Sequence, residues 1–184
     1  MSEMKNRKDF VQKTNEMLRD NWEYLRDKDR EVTFLLNCTL GLIVAIAEDK
    51  EVAKNSFKTL FKDNFDRTFI NLLPKRIGFV DSNGMVCDDL TVYGVGVNVF
   101  VGHKDDLVEK DAPWLLKKIR HGIAHLNIKF ENEGGQIQTI RLWNNPIHNK
   151  SLRDFEVVFE IKELRDFATT LSDKYFEIIP GEPE

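Results

Sequence analysis

WLLKKIRHGIAHLNIKF, residues 114–130, carries two of the chain's four histidines, an arginine and three lysines, and no acid. At about 100° per residue it reads as an amphipathic helix over 113–126. Leu115, Leu116, Ile119, Ile123 and Leu126 gather within an arc of roughly 100°, the stripe that must face a core. Opposite them, in angular order, stand Arg120, Ala124, Lys117, His121, His125 and Lys118. Arg120 and His125 mark the edges of this polar face, about 140° apart around the axis and about 7.5 Å apart along it. Ala124 between them takes little room. A phosphate can therefore approach the backbone there while a guanidinium reaches across it.

The rest of the architecture reads outward from this helix. Pro113 suits its first turn, where a missing N–H costs nothing, and Asp111 is a candidate cap. Downstream, NIKFENEGGQIQTIRLW (127–143) sets two alternating runs around Gly134-Gly135, which predicts a β-hairpin over 127–144. FEVVFEI from Phe155 predicts a third strand, and ELRDFATTLSDKYFEII a closing amphipathic helix over 161–177, followed by a PGEPE tail. Upstream, Phe10, Met17, Leu18, Trp22 and Leu25 predict a helix over 5–28. EVTFLLNCTLGLIVAIA is apolar nearly all round and predicts a buried helix over 31–47. Val52, Phe57, Leu60, Phe61, Phe65, Phe69 and Leu72 predict another over 50–73, closed by Pro74. Residues 74–90, with DSNGM, read as a loop. TVYGVGVNVFVG (91–102) alternates as a strand does, but its glycines argue against one. The expectation is one mainly α domain over 1–184 with a small β-hairpin or three-stranded appendage after the motif helix.

Composition narrows the function classes. With 184 residues, 41% of them apolar and 32% charged, the chain has the makeup of a globular domain and not of a disordered segment. Its longest apolar run, 32–47, is too short to span a bilayer and contains Asn37, Cys38 and Thr39. MSEMKNRKDF holds no secretory core. Cys38 and Cys87 belong to no paired motif, so reduced thiols are expected. A cytoplasmic protein with no membrane contact is the expectation. From 112 to 153 there are seven bases against two acids, a local charge of +5 that leaves −9 for the rest of a chain whose net charge is −4. An acidic body with one basic segment predicts a local anion site, not a surface that coats nucleic acid everywhere.

Arginine offers a permanent charge and a planar fork of donors matched to phosphate oxygens. Histidine takes or gives a proton near neutrality. Together they suit cleavage of RNA by its own ribose 2′-hydroxyl, with imidazole moving protons and guanidinium stabilising the charge of the transition state. Arg120, His121 and His125 are the candidate catalytic residues. Lys117, Lys118, Asn127 and Lys129 are candidate RNA contacts. Each has a plainer role when taken singly: a surface cation, an exposed polar side chain, or a cation at a helix C-terminus. Trp114 and Trp143 have the rings to stack on bases, though packing is the simpler role for Trp143. His121 and His125, at i and i+4, also have the spacing of a zinc pair. Gly122 stands where a zinc-protease signature has Glu, and no spacing marks a third ligand among His103, His148 or other residues. No cofactor and no metal are expected.

RHGIAH resembles the motif of the HEPN superfamily: Arg, a polar residue, three variable residues, then His. Here these are Arg120, His121, Gly122 to Ala124, and His125. The longer text KKIRHGIAHLNIKF, a glycine-containing hairpin and a closing helix after FEIKEL are similar to a bacterial branch known from plasmid-encoded proteins. The resemblance spans 5–178 in architecture and about 112–165 in recognisable text. It implies an up-and-down helical bundle, a homodimer with the motif helices facing one cleft, and a metal-independent endoribonuclease with Arg120 and His125 catalytic and His121 in the supporting polar slot. It also implies roles in toxin–antitoxin, phage-defence or RNA-processing systems, with an antitoxin or defence partner. The polar slot is often Asn or Asp in the superfamily, so His121 is a departure. Some members are non-catalytic binding or dimerisation modules. That is the alternative reading here, with a His121/His125 metal-site hydrolase ranking below both.

Overall fold

A computed structural model of the protein describes residues 7–26, 30–47, 73–74, 77–79, 112–145 and 153–178. Among them stand α1 (Arg7–Asp20), α2 (Trp22–Arg26), α3 (Glu31–Ala47), β1 (Ile77–Phe79), α4 (Ala112–Ala124), β2 (Ile128–Glu133), β3 (Gln136–Asn144), β4 (Phe155–Glu160) and α5 (Ile161–Ile178). The protein is mainly helical with a small antiparallel sheet, the class that its sequence predicts. The expected helix over 50–73, Leu73 apart, and the alternating stretch 91–102 lie outside the described residues. So do Cys87, His103, Asp111, His148 and Lys150.

The chain divides into two compact units. The first, Met1–Asp63 with Leu164–Glu184, contains α1, α2, α3 and most of α5. Val11, Leu18, Leu35, Leu42, Ile43 and Ile46 are fully or almost fully buried at helical spacing, as amphipathic or all-apolar helices require. The stretch read as one helix over 5–28 is two. Asn21 N–H donates to the Met17 carbonyl at 3.1 Å and the Asn21 carbonyl accepts from Leu25 N–H at 3.0 Å, while the backbone bends at Asn21 itself. Asparagine competes for backbone partners within a helix and is favoured as the residue that starts one. Arg165 on α5 donates to the Leu18 carbonyl at 3.1 Å and lies over the Trp22 ring at 4.8 Å, which satisfies an end of α1. Burial pushes the Cys38 thiol up to about 11, so it stays protonated and unreactive near neutral pH.

The second unit, Asn64–Glu163, holds a four-stranded sheet in the order β1-β4-β3-β2, with every neighbouring pair antiparallel. The hairpin read from Gly134-Gly135 is β2–β3. Gly134 has φ 61° and Gly135 φ 84°, the two left-handed residues of a type I′ turn, whose twist matches that of its strands. β4 is the third strand that FEVVFEI predicts. The appendage nevertheless has four strands, not three, because Ile77–Phe79 lies within the supposed 74–90 loop and pairs with Phe155–Val157. Alternation puts Ile140, Leu142, Phe155, Val157 and Phe159 on one face, all buried. α4 covers that face with its own buried stripe of Leu115, Leu116, Ile119 and Ile123.

Candidate active site

The last turn of α4 is built to meet the sheet. A Cβ on Gly122 would stand 3.1 Å from the Trp143 carbonyl oxygen and 3.5 Å from Leu142 Cβ. Only glycine lets the helix lie this close to β3 without displacing backbone. The helix then ends in a Schellman arrangement: Asn127 N–H donates to the Gly122 carbonyl at 2.9 Å and Leu126 N–H to the Ile123 carbonyl at 3.1 Å. Leu126 takes the left-handed position, with φ 54°. This overturns its place in the buried stripe. The helix ends at Ala124, two residues earlier than the wheel over 113–126 assumes, and the Leu126 side chain is 79% exposed. The Asn127 carbonyl accepts from Trp143 N–H at 3.2 Å. Three residues, His125 to Asn127, therefore join the motif helix to β2.

On this frame the polar face of α4 presents its functional groups. Arg120 and His121 are half-buried, while Lys117 and His125 are exposed. The two imidazoles are neighbours, with ring centroids 5.8 Å apart and planes at 75°. Among the described residues, Arg120, Lys117, His125 and Lys129 form no ion pair with a carboxylate. The combined result is a permanent cation and two imidazoles on one helical face, which is the set required to bind a phosphate and move protons beside it.

Asn144, the last residue of β3, lies near enough to His121 to influence its titration. Asn144 Nδ2 donates to Asp154 Oδ1 at 2.6 Å and to the Asn145 carbonyl at 3.3 Å. Asp154 Oδ2 in turn accepts from Lys118 Nζ at 2.5 Å, and Asp154 N–H donates to the Asn144 carbonyl at 3.0 Å. Burial lowers the pKa of His121; Asn144 opposes that, and the charges of Lys117, His125 and Arg120 lower it further. His121 is accordingly a neutral imidazole near pH 7.

A family model described as HEPN pEK499 p136 matches residues 1–181. The chain belongs to that family. No curated protein matches it, and neither does any solved structure.

Within this HEPN protein the predicted site residues divide by environment. Arg120, His121 and His125 share one face at the end of α4, and Lys117 joins them. Lys118, expected among the RNA contacts, has its ammonium engaged by Asp154. Asn127 is half-buried and its backbone ties the joint at both N–H and C=O. Lys129 is exposed on β2. Trp114 packs edge-on against Phe155 at 5.8 Å, and Trp143 is covered by the Arg153 guanidinium at 4.2 Å. Among the described residues no cluster of three His, Cys, Asp or Glu has a metal-holding arrangement. No helix among them is long and apolar enough to cross a membrane. Asn144 and Asp154 escaped the sequence reading. The available signal was an amide on the core-facing side of β3, where Ile140 and Leu142 lead the eye to expect another apolar residue.

Proposed function

We infer that the end of α4 is the active site of a metal-independent endoribonuclease. The observation that carries this reading is the pair of neighbouring imidazoles at the end of the helix that also carries Arg120, whose guanidinium has no carboxylate partner among the described residues. In the reaction, an imidazole takes the proton of a ribose 2′-hydroxyl, O2′ bonds to phosphorus, the P–O5′ bond breaks, and an imidazolium returns a proton to O5′. Arg120 offsets the charge that gathers on the non-bridging oxygens. The products are a 2′,3′-cyclic phosphate and a 5′-hydroxyl. Lys117, exposed on α4, would attract the RNA backbone, and Asn127 lies at the joint beyond it, whereas Lys129 pairs with Arg141 and so alternates onto the sheet face away from α4. A homodimer that joins two such faces into one cleft, and a toxin or phage-defence role with a cognate partner, belong to the same proposal through the family.

Purified protein incubated with total RNA and chelator tests it. Cleavage leaving cyclic-phosphate ends is expected. His125→Ala should abolish most of it, and Arg120→Lys should impair it strongly because the charge stays but the fork is lost. Binding of RNA without turnover, weakened by Arg120→Ala, favours a non-catalytic HEPN module instead. Cleavage that chelator stops and zinc restores favours the histidine-pair metal site.

A further inference from the structure

β2 ends the strand order β1-β4-β3-β2, and among the described residues nothing pairs with its outer edge. Trp143 N–H donates to the Asn127 carbonyl at 3.2 Å, one step before the Ile128–Leu142 pair. In an antiparallel ladder, residues that exchange bonds with the neighbouring strand alternate with residues that turn their N–H and C=O the other way. Asn127, Lys129 and Glu131 therefore bond toward β3, and Ile128, Phe130 and Asn132 present their backbone groups to the open edge. The register shift between Glu131 and Asn132 takes up an extra residue on β3, Gln138, so the alternation along β2 is unbroken. The side chains alternate as well. Ile128 and Phe130 lie on the sheet face that α4 covers, and Lys129 and Glu131 on the other. Phe130 is 43% exposed, and Leu126, just before the strand, 79%; these are the exposed large apolar side chains among the described residues of the second unit. An accessible edge that carries an exposed ring is a template for another strand.

We propose that two copies of this chain pair antiparallel through β2, with Phe130 opposite the partner's Phe130 on a two-fold axis. The charges on the strand select that register. If Phe130 stood opposite the partner's Ile128, Lys129 would meet the partner's Lys129. If Phe130 stood opposite the partner's Asn132, Glu131 would meet the partner's Glu131. Like charges directly opposite destabilise a strand pair. With Phe130 opposite the partner's Phe130, Lys129 faces the partner's Glu131 and Glu131 faces the partner's Lys129. These fall at the positions of the ladder where opposed side chains lie closest. Every outward-facing residue then finds a backbone partner, Ile128 with the partner's Asn132 and the reverse, and the two exposed rings cover each other. Lys129 is exposed. Glu131 receives Arg141 on one oxygen and Thr139 on the other, and its side chain stays 39% exposed, so it offers an ammonium an oriented carboxylate. The contact uses one patch on both chains and closes on itself. A two-fold axis perpendicular to the sheet keeps the α4 of each chain on the same face of the joined sheet, the side that a shared cleft requires. The pairing supplies an interface for the homodimer named above but stands on the strand alone, whether or not RNA is cleaved.

Light scattering on the full chain over a dilution series, with residue-resolved amide hydrogen exchange, tests this. A dimer is expected, with the amides of Ile128, Phe130 and Asn132 protected where it forms and exchanging freely on dilution. Lys129→Glu turns both cross-strand attractions into repulsions at an exposed position. The dissociation constant should rise roughly tenfold or more, with the circular dichroism spectrum unchanged. Phe130→Pro removes an outward N–H, a change that edge strands tolerate, and should weaken association likewise. Mixing Lys129→Glu chains with Glu131→Lys chains restores opposite charges at both places and should recover the dimer that each variant loses alone. A wild type that stays monomeric up to high micromolar concentration overturns the proposal. So does a dimer that Lys129→Glu leaves intact, or one whose outward amides exchange as fast as those of the dilute chain. Such a dimer joins its subunits elsewhere and leaves the ribonuclease reading standing. A dimer protected along this edge that cleaves no RNA overturns the ribonuclease reading alone.

Discussion

Gly122 is the first of the three residues between His121 and His125 where the superfamily pattern permits variation. In this protein its hydrogen faces the Trp143 carbonyl oxygen, and an added carbon would meet that oxygen at 3.1 Å. Gly122→Val should destabilise the protein by about 1–3 kcal/mol, because a paired strand carbonyl yields less readily than a side chain. Urea unfolding measures this, and a midpoint equal to that of the wild type would mean that the helix and β3 separate freely. His121 carries a second expectation at this scale. Its pKa is lowered by burial first and by Lys117, His125 and Arg120 thereafter, against the influence of Asn144. With His121 as the imidazole that takes the proton in the proposed reaction, the acid limb of kcat/KM should fall below the ordinary histidine value of about 6.5, since a group so shifted remains unprotonated into mild acid. The linked effect on stability has the same sign. The unfolded chain binds this proton more readily than the folded one, so stability falls as pH drops through that value and levels off below the folded pKa. Of these residues the sequence shows Arg120, His121 and His125 directly, because helical periodicity is local. Asp154 meets Lys118 of the motif helix across 36 residues of sequence, so no window of a few residues contains them together.

The elements repeat that division between local and distant causes. The β2–β3 hairpin is legible because two glycines and period-two alternation lie within one short stretch. β1 is not, since its three residues gain their bonds from β4 far along the chain. α4 ends two residues before the expected 126, and that was enough to move Leu126 from core to solvent. A charged lattice binds the strands on the sheet face opposite Ile140, Leu142 and Val157. Glu156, 1% exposed, accepts from both Arg141 and Arg153, and Arg141 also reaches Glu131 at 3.0 Å. Glu156→Gln leaves two guanidinium groups short of a carboxylate in a largely dehydrated place. It should cost about 3 kcal/mol, as breaking one side of a buried ion pair does. Thermal unfolding would register this as a clear drop in midpoint. An unchanged midpoint would show that Arg141 is satisfied by Glu131 and its other contacts alone.

For the whole molecule the family assignment covers residues 1–181, and the proposed shared cleft makes assembly measurable. Light scattering at micromolar concentration should give twice the mass of one chain. Mixing Arg120→Ala chains with His125→Ala chains should recover part of the cleavage that each lacks, if the guanidinium of one subunit serves the imidazole of the other. A monomer with no recovery would remove the shared cleft and leave any activity to single chains. The three-residue joint between α4 and β2 has a practical consequence for protein engineers. The six-letter signature is not a portable cassette here: its glycine fits against the backbone of β3, and a foreign helix would arrive without that strand. The smallest insert that keeps this packing runs from the start of α4 through the end of β3, and a recipient scaffold must offer a partner for the edge of β3 that β4 occupies here.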